Sequence, residues 1–119
     1  MTNNPRTFDL AVRTSNVGKA IIRFARTIPV DIITGPLISQ LVRSGTSIGA
    51  NYREADGAES KKDFQHKLGI TQKEAKETLH WLEMVAEARP EAVDVCRKLW
   101  KEVHELTLIF SAIIRSSAK

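Results

Sequence analysis

Apolar residues at Leu10, Val17, Ile21, Phe24 and Ile28 are separated by steps of seven, four, three and four. That spacing stacks them on one face of a helix and does not fit the two-residue period of a strand. It predicts helix 1 over Thr7 to Ile28, with Asp9 in the first turn, Arg23 and Arg26 in the last, and Pro29 as the stop. The pattern then recurs three times. Leu37, Leu41, Ser44, Ile48, Tyr52 and Ala55 share one face of a helix 2 running from Pro36 to about Asp56, with Thr34 or Gly35 at its start. Ser60 followed by Asp63 reads as an N-cap, and Phe64, Leu68, Thr71, Ala75, Leu79, Leu82 and Ala86 carry the inner face of a long helix 3 that ends at Arg89-Pro90. Pro90 serves as the first residue of helix 4, whose inner face holds Val93, Cys96, Trp100, Val103, Thr107, Phe110 and Ile114.

Four amphipathic helices joined by short connections favour antiparallel neighbours, so the expected fold is all-α, an up-down-up-down four-helix bundle. At 119 residues the chain is long enough for one core and not two, which makes 1–119 a single domain. The charged fraction of 27% and apolar fraction of 42% are those of a folding protein rather than a disordered one. With Cys96 alone there is no intramolecular disulfide and no cysteine-bearing metal motif. The polar start MTNNPRTFDLAVRTS and the lack of a membrane-spanning apolar run lead us to expect a cytoplasmic protein without a membrane partner.

Helix 2 is unusual at its centre. Gly45 and Gly49 each cost a helix interior roughly 1 kcal/mol relative to alanine. Close approach of a neighbouring helix or subunit offsets that cost; a ligand against the glycines is the alternative. Beside this face Gln40, Arg43, Ser47, Asn51 and Glu54 form a polar stripe. If buried, its charges must be paired and its amide bonded, by helix 3 or by another subunit.

Part of this region carries a family resemblance. The run Gln40-Leu41-Val42-Arg43-Ser44-Gly45-Thr46-Ser47-Ile48-Gly49-Ala50-Asn51-Tyr52-Arg53-Glu54-Ala55, then Ser60-Lys61-Lys62-Asp63-Phe64 and Lys67 to Thr78, is similar to the signature of proteins encoded in bacterial large-subunit ribosomal RNA intervening sequences. The common family form has Asn-Ile-Ala-Glu-Gly where this chain has Asn51-Tyr52-Arg53-Glu54-Ala55, without the final glycine. The resemblance implies a four-helix bundle assembled as a homopentamer. It also implies a relation to the accessory protein that partners reverse transcriptase in diversity-generating retroelements.

Helix 1 supplies the nucleic-acid candidate. It carries Arg6, Arg13, Lys19, Arg23 and Arg26 against Asp9 alone, and Lys19, Arg23 and Arg26 project away from the apolar face. Such a row can neutralise phosphates of RNA or DNA and release counterions, although most charged helix faces are plain solvated surface. The net charge of +4 permits a polyanionic partner without requiring one.

Catalysis finds little to work with. Glu77-Thr78-Leu79-His80 has the Glu-x-x-His spacing of di-metal bundles, but such sites use a second copy of the motif, and His66 and His104 lack a glutamate three residues before them. Neither Ser47 nor Cys96 has a histidine placed to activate it, and Cys96 reads as a core residue. We therefore expect no catalytic residues, metal or cofactor. Trp100 is expected in the core, and Trp81, beside the Leu79/Leu82 seam, is the candidate for a subunit interface. The reading is a non-enzymatic oligomeric adaptor that binds nucleic acid through helix 1. The alternative is a structural or protein-interaction ring with no nucleic-acid role.

Overall fold

In the computed structural model the backbone is described over residues 5–118 and the side chains over 10–118, which places the side chains of Arg6 and Asp9 outside the described residues. Four α-helices follow in order: α1 Pro5–Ala25, α2 Thr34–Asp56, α3 Lys61–Ala88 and α4 Val93–Ser117, with a short 3-10 turn at Pro90–Ala92 before α4. The particle measures 47 × 22 × 19 Å. Its length is set by α3, since 28 residues at 1.5 Å rise span about 42 Å.

Side-chain partners show the alternating direction of the helices. Gly49 on α2 faces Thr14 on α1, whereas Gly45, one turn earlier on α2, faces Ile21, two turns later on α1. Between α2 and α3, Ser44 pairs with Thr78 and Glu54 with Lys67. Between α3 and α4, Gln65 reaches Ser117 and Glu83 reaches Trp100. Each pair of neighbours is thus antiparallel, giving the expected up-down-up-down bundle. Successive helices pack closely, while α1 and α4 meet least and leave one seam more open than the others.

One contiguous core contains Leu10, Ile21, Leu41, Ile48, Leu68, Leu82, Leu106 and Phe110, with the Tyr52 ring stacked on Phe110 at 6.4 Å between α2 and α4. Burial raises the Tyr52 phenol, with Asp56 acting in the same direction. The buried hydroxyls do not go unsatisfied. Thr14, Thr71 and Thr107 donate to carbonyls of their own helices, and Thr78 donates to Glu74 O at 2.8 Å while standing 3.0 Å from Ser44 Oγ.

Several expectations at the helix ends need correction. α1 stops at Ala25, one turn before Pro29, because Thr27 N and Ile28 N already bond in the tighter three-residue pattern to Phe24 and Ala25. Arg26 therefore follows the helix, and Asp9 is its fifth residue rather than part of its first turn. Ile28 is still buried, as its spacing predicts. Pro90 opens the 3-10 turn and not α4, and Val93, expected inside, is 37% exposed. Trp100 is half-buried at the surface of the α3–α4 seam, with Nε1 donating to Glu83. Leu106 and Ile109 occupy the core of α4 in addition to the expected positions.

The start of α2 is fixed by a residue outside it. Asp31 Oδ1 accepts from Ile33 N and Thr34 N, both at 2.8 Å, and Thr34 Oγ1 accepts from Asp31 N while donating to Pro29 O. The Thr34 and Ile33 amides hold the Asp31 carboxyl below its ordinary range. The helix cap at Ser60 is as expected, accepting from Asp63 N at 3.0 Å.

The glycines separate into two physical classes. A Cβ on Gly45 would fall 2.4 Å from Ile21 Cδ1 and 3.2 Å from its Cγ2, and Ile21 is fully buried. A Cβ on Gly69 would meet nothing within 4 Å. We predict opposite signs in thermal unfolding: Gly45→Ala lowers stability by about 1–3 kcal/mol through overpacking, and Gly69→Ala raises it by about 1 kcal/mol through helix propensity. Asp31 contributes a stability term that is present above its unfolded pKa and lost as pH falls through its lower folded value. Chemical denaturation of wild type and Asp31→Asn between pH 5 and about pH 2 should therefore show wild type losing its advantage as acid is added; a constant gap would refute the assignment.

Candidate nucleic-acid interface

Lys19 and Arg23 project from the outer side of α1 and Arg26 follows in the turn after it; all three are exposed. Arg13, named with them from the sequence, goes elsewhere. It lies on the α4 side, 22% exposed, with one nitrogen 2.8 Å from Glu102 Oε1 and another 3.7 Å from Glu105. Its charge spans the open α1–α4 seam and is opposed by two carboxylates.

Tertiary structure adds two cations that helical spacing along α1 does not reveal. Arg53 of α2 and Lys19 line the same shallow groove of about 240 Å³, whose floor includes Gly18, Gly49 and Ala50. Lys98 of α4 and Arg23 line a second groove of about 430 Å³ over Phe24, Val95 and Leu99. The result is a basic band from Arg53 across Lys19, Arg26 and Arg23 to Lys98. None of these five forms an ion pair with a described residue, and among the described residues no carboxylate lines either groove. The sequence signal for Arg53 was present as a departure from the family motif; Lys98 carried none.

The polar stripe of α2 is at the surface rather than buried, and its partners come from within the chain. Arg43 receives Glu74 at 3.3 Å and Glu77 from α3, and its Nε donates to Gln40 Oε1. Glu54 accepts from Lys67. Ser47 donates to Arg43 O and Asn51 to Ser47 O, along their own helix. Of the two sources considered for these partners, α3 supplies them for Arg43 and Glu54.

The Glu-x-x-His spacing is used structurally. Glu77 accepts from Arg43 and from Trp81 Nε1, and exposed His80 lies edge-on to the Trp81 ring at 4.7 Å. Trp81 is half-buried against the core, leaving part of its ring at the surface where the interface expectation placed it. Among the described residues no three His, Cys, Asp or Glu side chains gather as a metal site, and no helix is long and apolar enough to cross a membrane.

The family model described as 23S rRNA-intervening sequence protein matches residues 7–112. A crystal structure from Bacteroides thetaiotaomicron VPI-5482, described as a protein of unknown function from the S23 ribosomal protein family, is 34% identical. The match covers 92% of this chain and 95% of that one, with a TM-score of 0.67. No match is found among curated proteins.

Cys96 is 3% exposed, and burial pushes its thiol pKa up. Because the thiolate is the reactive form, this cysteine should be inert in the folded state. Absorbance-monitored reaction with an aromatic disulfide at neutral pH should run at least about tenfold slower in the native protein than in denaturant; equal rates would show the thiol to be open.

Proposed function

We propose that this chain, which belongs to the 23S rRNA-intervening sequence protein family, is a non-enzymatic oligomeric adaptor that binds nucleic acid electrostatically. The observation that carries the reading is the band Arg53, Lys19, Arg26, Arg23 and Lys98, drawn from three helices and the turn after α1 and without an ion pair among the described residues. Its chemistry is that of phosphate neutralisation: cations on long flexible stems along two shallow grooves, with Phe24 buried beneath rather than offered for base stacking. Such a surface favours backbone contact over base readout.

Assembly would repeat the band around a ring and multiply a weak contact by raising the effective concentration of each further site. A homopentamer and a reverse transcriptase as protein partner follow from the family resemblance, and the adaptor would present RNA or DNA to that partner. The absence of enzymatic function in this reading is supported by the engagement of Glu77 with Arg43 and Trp81 and by the buried, protonated Cys96. The alternative remains a protein-interaction ring, for which the part-exposed Trp81 is the supporting feature.

Fluorescence anisotropy of labelled structured RNA and duplex DNA across a salt series tests the proposal. Each cation that neutralises a phosphate contributes roughly 0.9 to the salt slope on duplex DNA. Reversing Lys19, Arg23 and Arg26 to glutamate should therefore lower the slope by roughly 3 per engaged copy and weaken binding at low salt by more than about tenfold. Equal binding by wild type and the reversed variant would overturn the assignment, and no binding by wild type at low salt would leave the interaction ring as the function.

A further inference from the structure

The geometry points to a head-to-tail contact between copies of this chain, in which the α1–α2 loop of one copy seats Ile32 in the α3–α4 groove of the next. It rests on the oligomeric reading above and specifies the surfaces.

Two observations meet here. The loop exposes aliphatic side chains that a solitary bundle has no use for: Val30 is 76% exposed, Ile32 91% and Ile33 63%. Scattered surface aliphatics are ordinary, but three within four residues form a patch. The loop is also held in shape, since Asp31 and Thr34 bond reciprocally across it. An apolar projection that keeps its form loses little entropy on docking. Across the bundle, the α3–α4 seam opens into a groove of about 530 Å³ lined by Leu82, Ala86, Val93, Cys96 and Trp100. This volume accommodates aliphatic side chains of the size the loop offers.

Position and charge select a second copy as the occupant. Because the helices alternate, the α1–α2 loop and the Pro90–Ala92 turn lie at the same end of the bundle, where Arg89 is close enough to act on Asp31. The projection sits on the α1–α2 side and the groove on the α3–α4 side. Copies related by rotation about an axis parallel to the bundle keep their ends together, so a projection at one end can meet only a groove that opens at that end of the next copy, as the α3–α4 groove does here. The two surfaces differ, so the contact is heterologous, the kind that closes rings. Beside Ile32 the loop carries the Asp31 carboxylate, whose hydrogen bonds all end on Oδ1; the loop's other charge, Arg26, stands at its first residue, directly after α1. The groove is rimmed by exposed Arg97, which lies 3.4 Å from Asp94 of its own helix, and by exposed Lys101, which has no ion pair among the described residues, while the one acid lining it, Glu83, accepts from Trp100 Nε1.

The full-length chain tests this by cross-linking. Ile32→Cys and Val93→Cys are each placed in a Cys96→Ala background, so that no other thiol is present, and the two chains are co-expressed with tags of different mass. A short bis-maleimide should yield the mixed dimer of both chains, whereas Glu59→Cys, at the opposite end of the bundle, should give none with Val93→Cys. Sedimentation of wild type and Ile32→Asp runs alongside, with at least a tenfold higher concentration expected for assembly of the variant. An oligomeric wild type that gives no mixed dimer, or whose assembly is unchanged by Ile32→Asp, overturns this contact and leaves the oligomeric reading standing. A monomeric wild type at every concentration overturns both.

Discussion

The approach of α2 to α1 depends on Gly45, where the fully buried Ile21 side chain occupies the space a Cβ would need. Much of the molecule is arranged by that contact. It explains why a helix retains a glycine at its centre despite a propensity cost of roughly 1 kcal/mol. One turn on, Gly49 brings the α2 backbone alongside Thr14, with the would-be Cβ only 3.4 Å from its carbonyl group. The close approach brings Arg53 to the groove that Lys19 lines, so the packing that stabilises the α1–α2 seam also widens the basic surface. Bulk at Gly45 would push against the core and against the placement of that surface together.

Charge is distributed by the same architecture. On the α2–α3 seam Arg43 meets Glu74 and Glu77, and Lys67 meets Glu54; on the α1–α4 seam Arg13 meets Glu102 and Glu105. These partly exposed pairs contribute on the order of 0–1 kcal/mol each, too little to determine the fold. Their larger effect is to engage carboxylates along two seams. On the outer side of α1 and in the turn after it, Lys19, Arg23 and Arg26 have no ion pair among the described residues, in a chain with 18 basic and 14 acidic residues.

Helix number, order and inner faces were legible because apolar spacing reports burial directly: Leu10, Val17, Ile21, Phe24 and Ile28 are all buried. The Ser60 cap was legible because its bond is local. What spacing could not show was decided by tertiary contact. Arg13 is one more cation on the sequence of α1 until α4 presents Glu102, and Arg53 and Lys98 join the candidate surface only because their helices flank it. The end of α1 moved for a different reason: the prolyl residue marks the last position a helix could reach, and three-residue bonds at Thr27 and Ile28 end it sooner. Trp100 and Val93 satisfied the period of an inner face yet lie at its margin, because the α3–α4 seam does not close over them.

That open margin bears on how the two ends of the bundle differ. At the α2–α3 end the chain turns through polar Gly57-Ala58-Glu59-Ser60. At the other end lie Val30, Ile32, Ile33 and Val93, all exposed, beside a groove floored by Leu82 and Cys96. A four-helix bundle has enough apolar surface to fill its core without these residues, so their exposure is a cost in solubility that the isolated chain does not recover. Burial at about 25 cal/mol per Å² makes the same residues favourable once another surface covers them. The basic residues Arg53, Lys19, Arg23 and Lys98 lie on α2, α1 and α4, while Arg26 belongs to the loop that also carries Val30, Ile32 and Ile33, so on the readings proposed above the basic band and the apolar end adjoin at that loop.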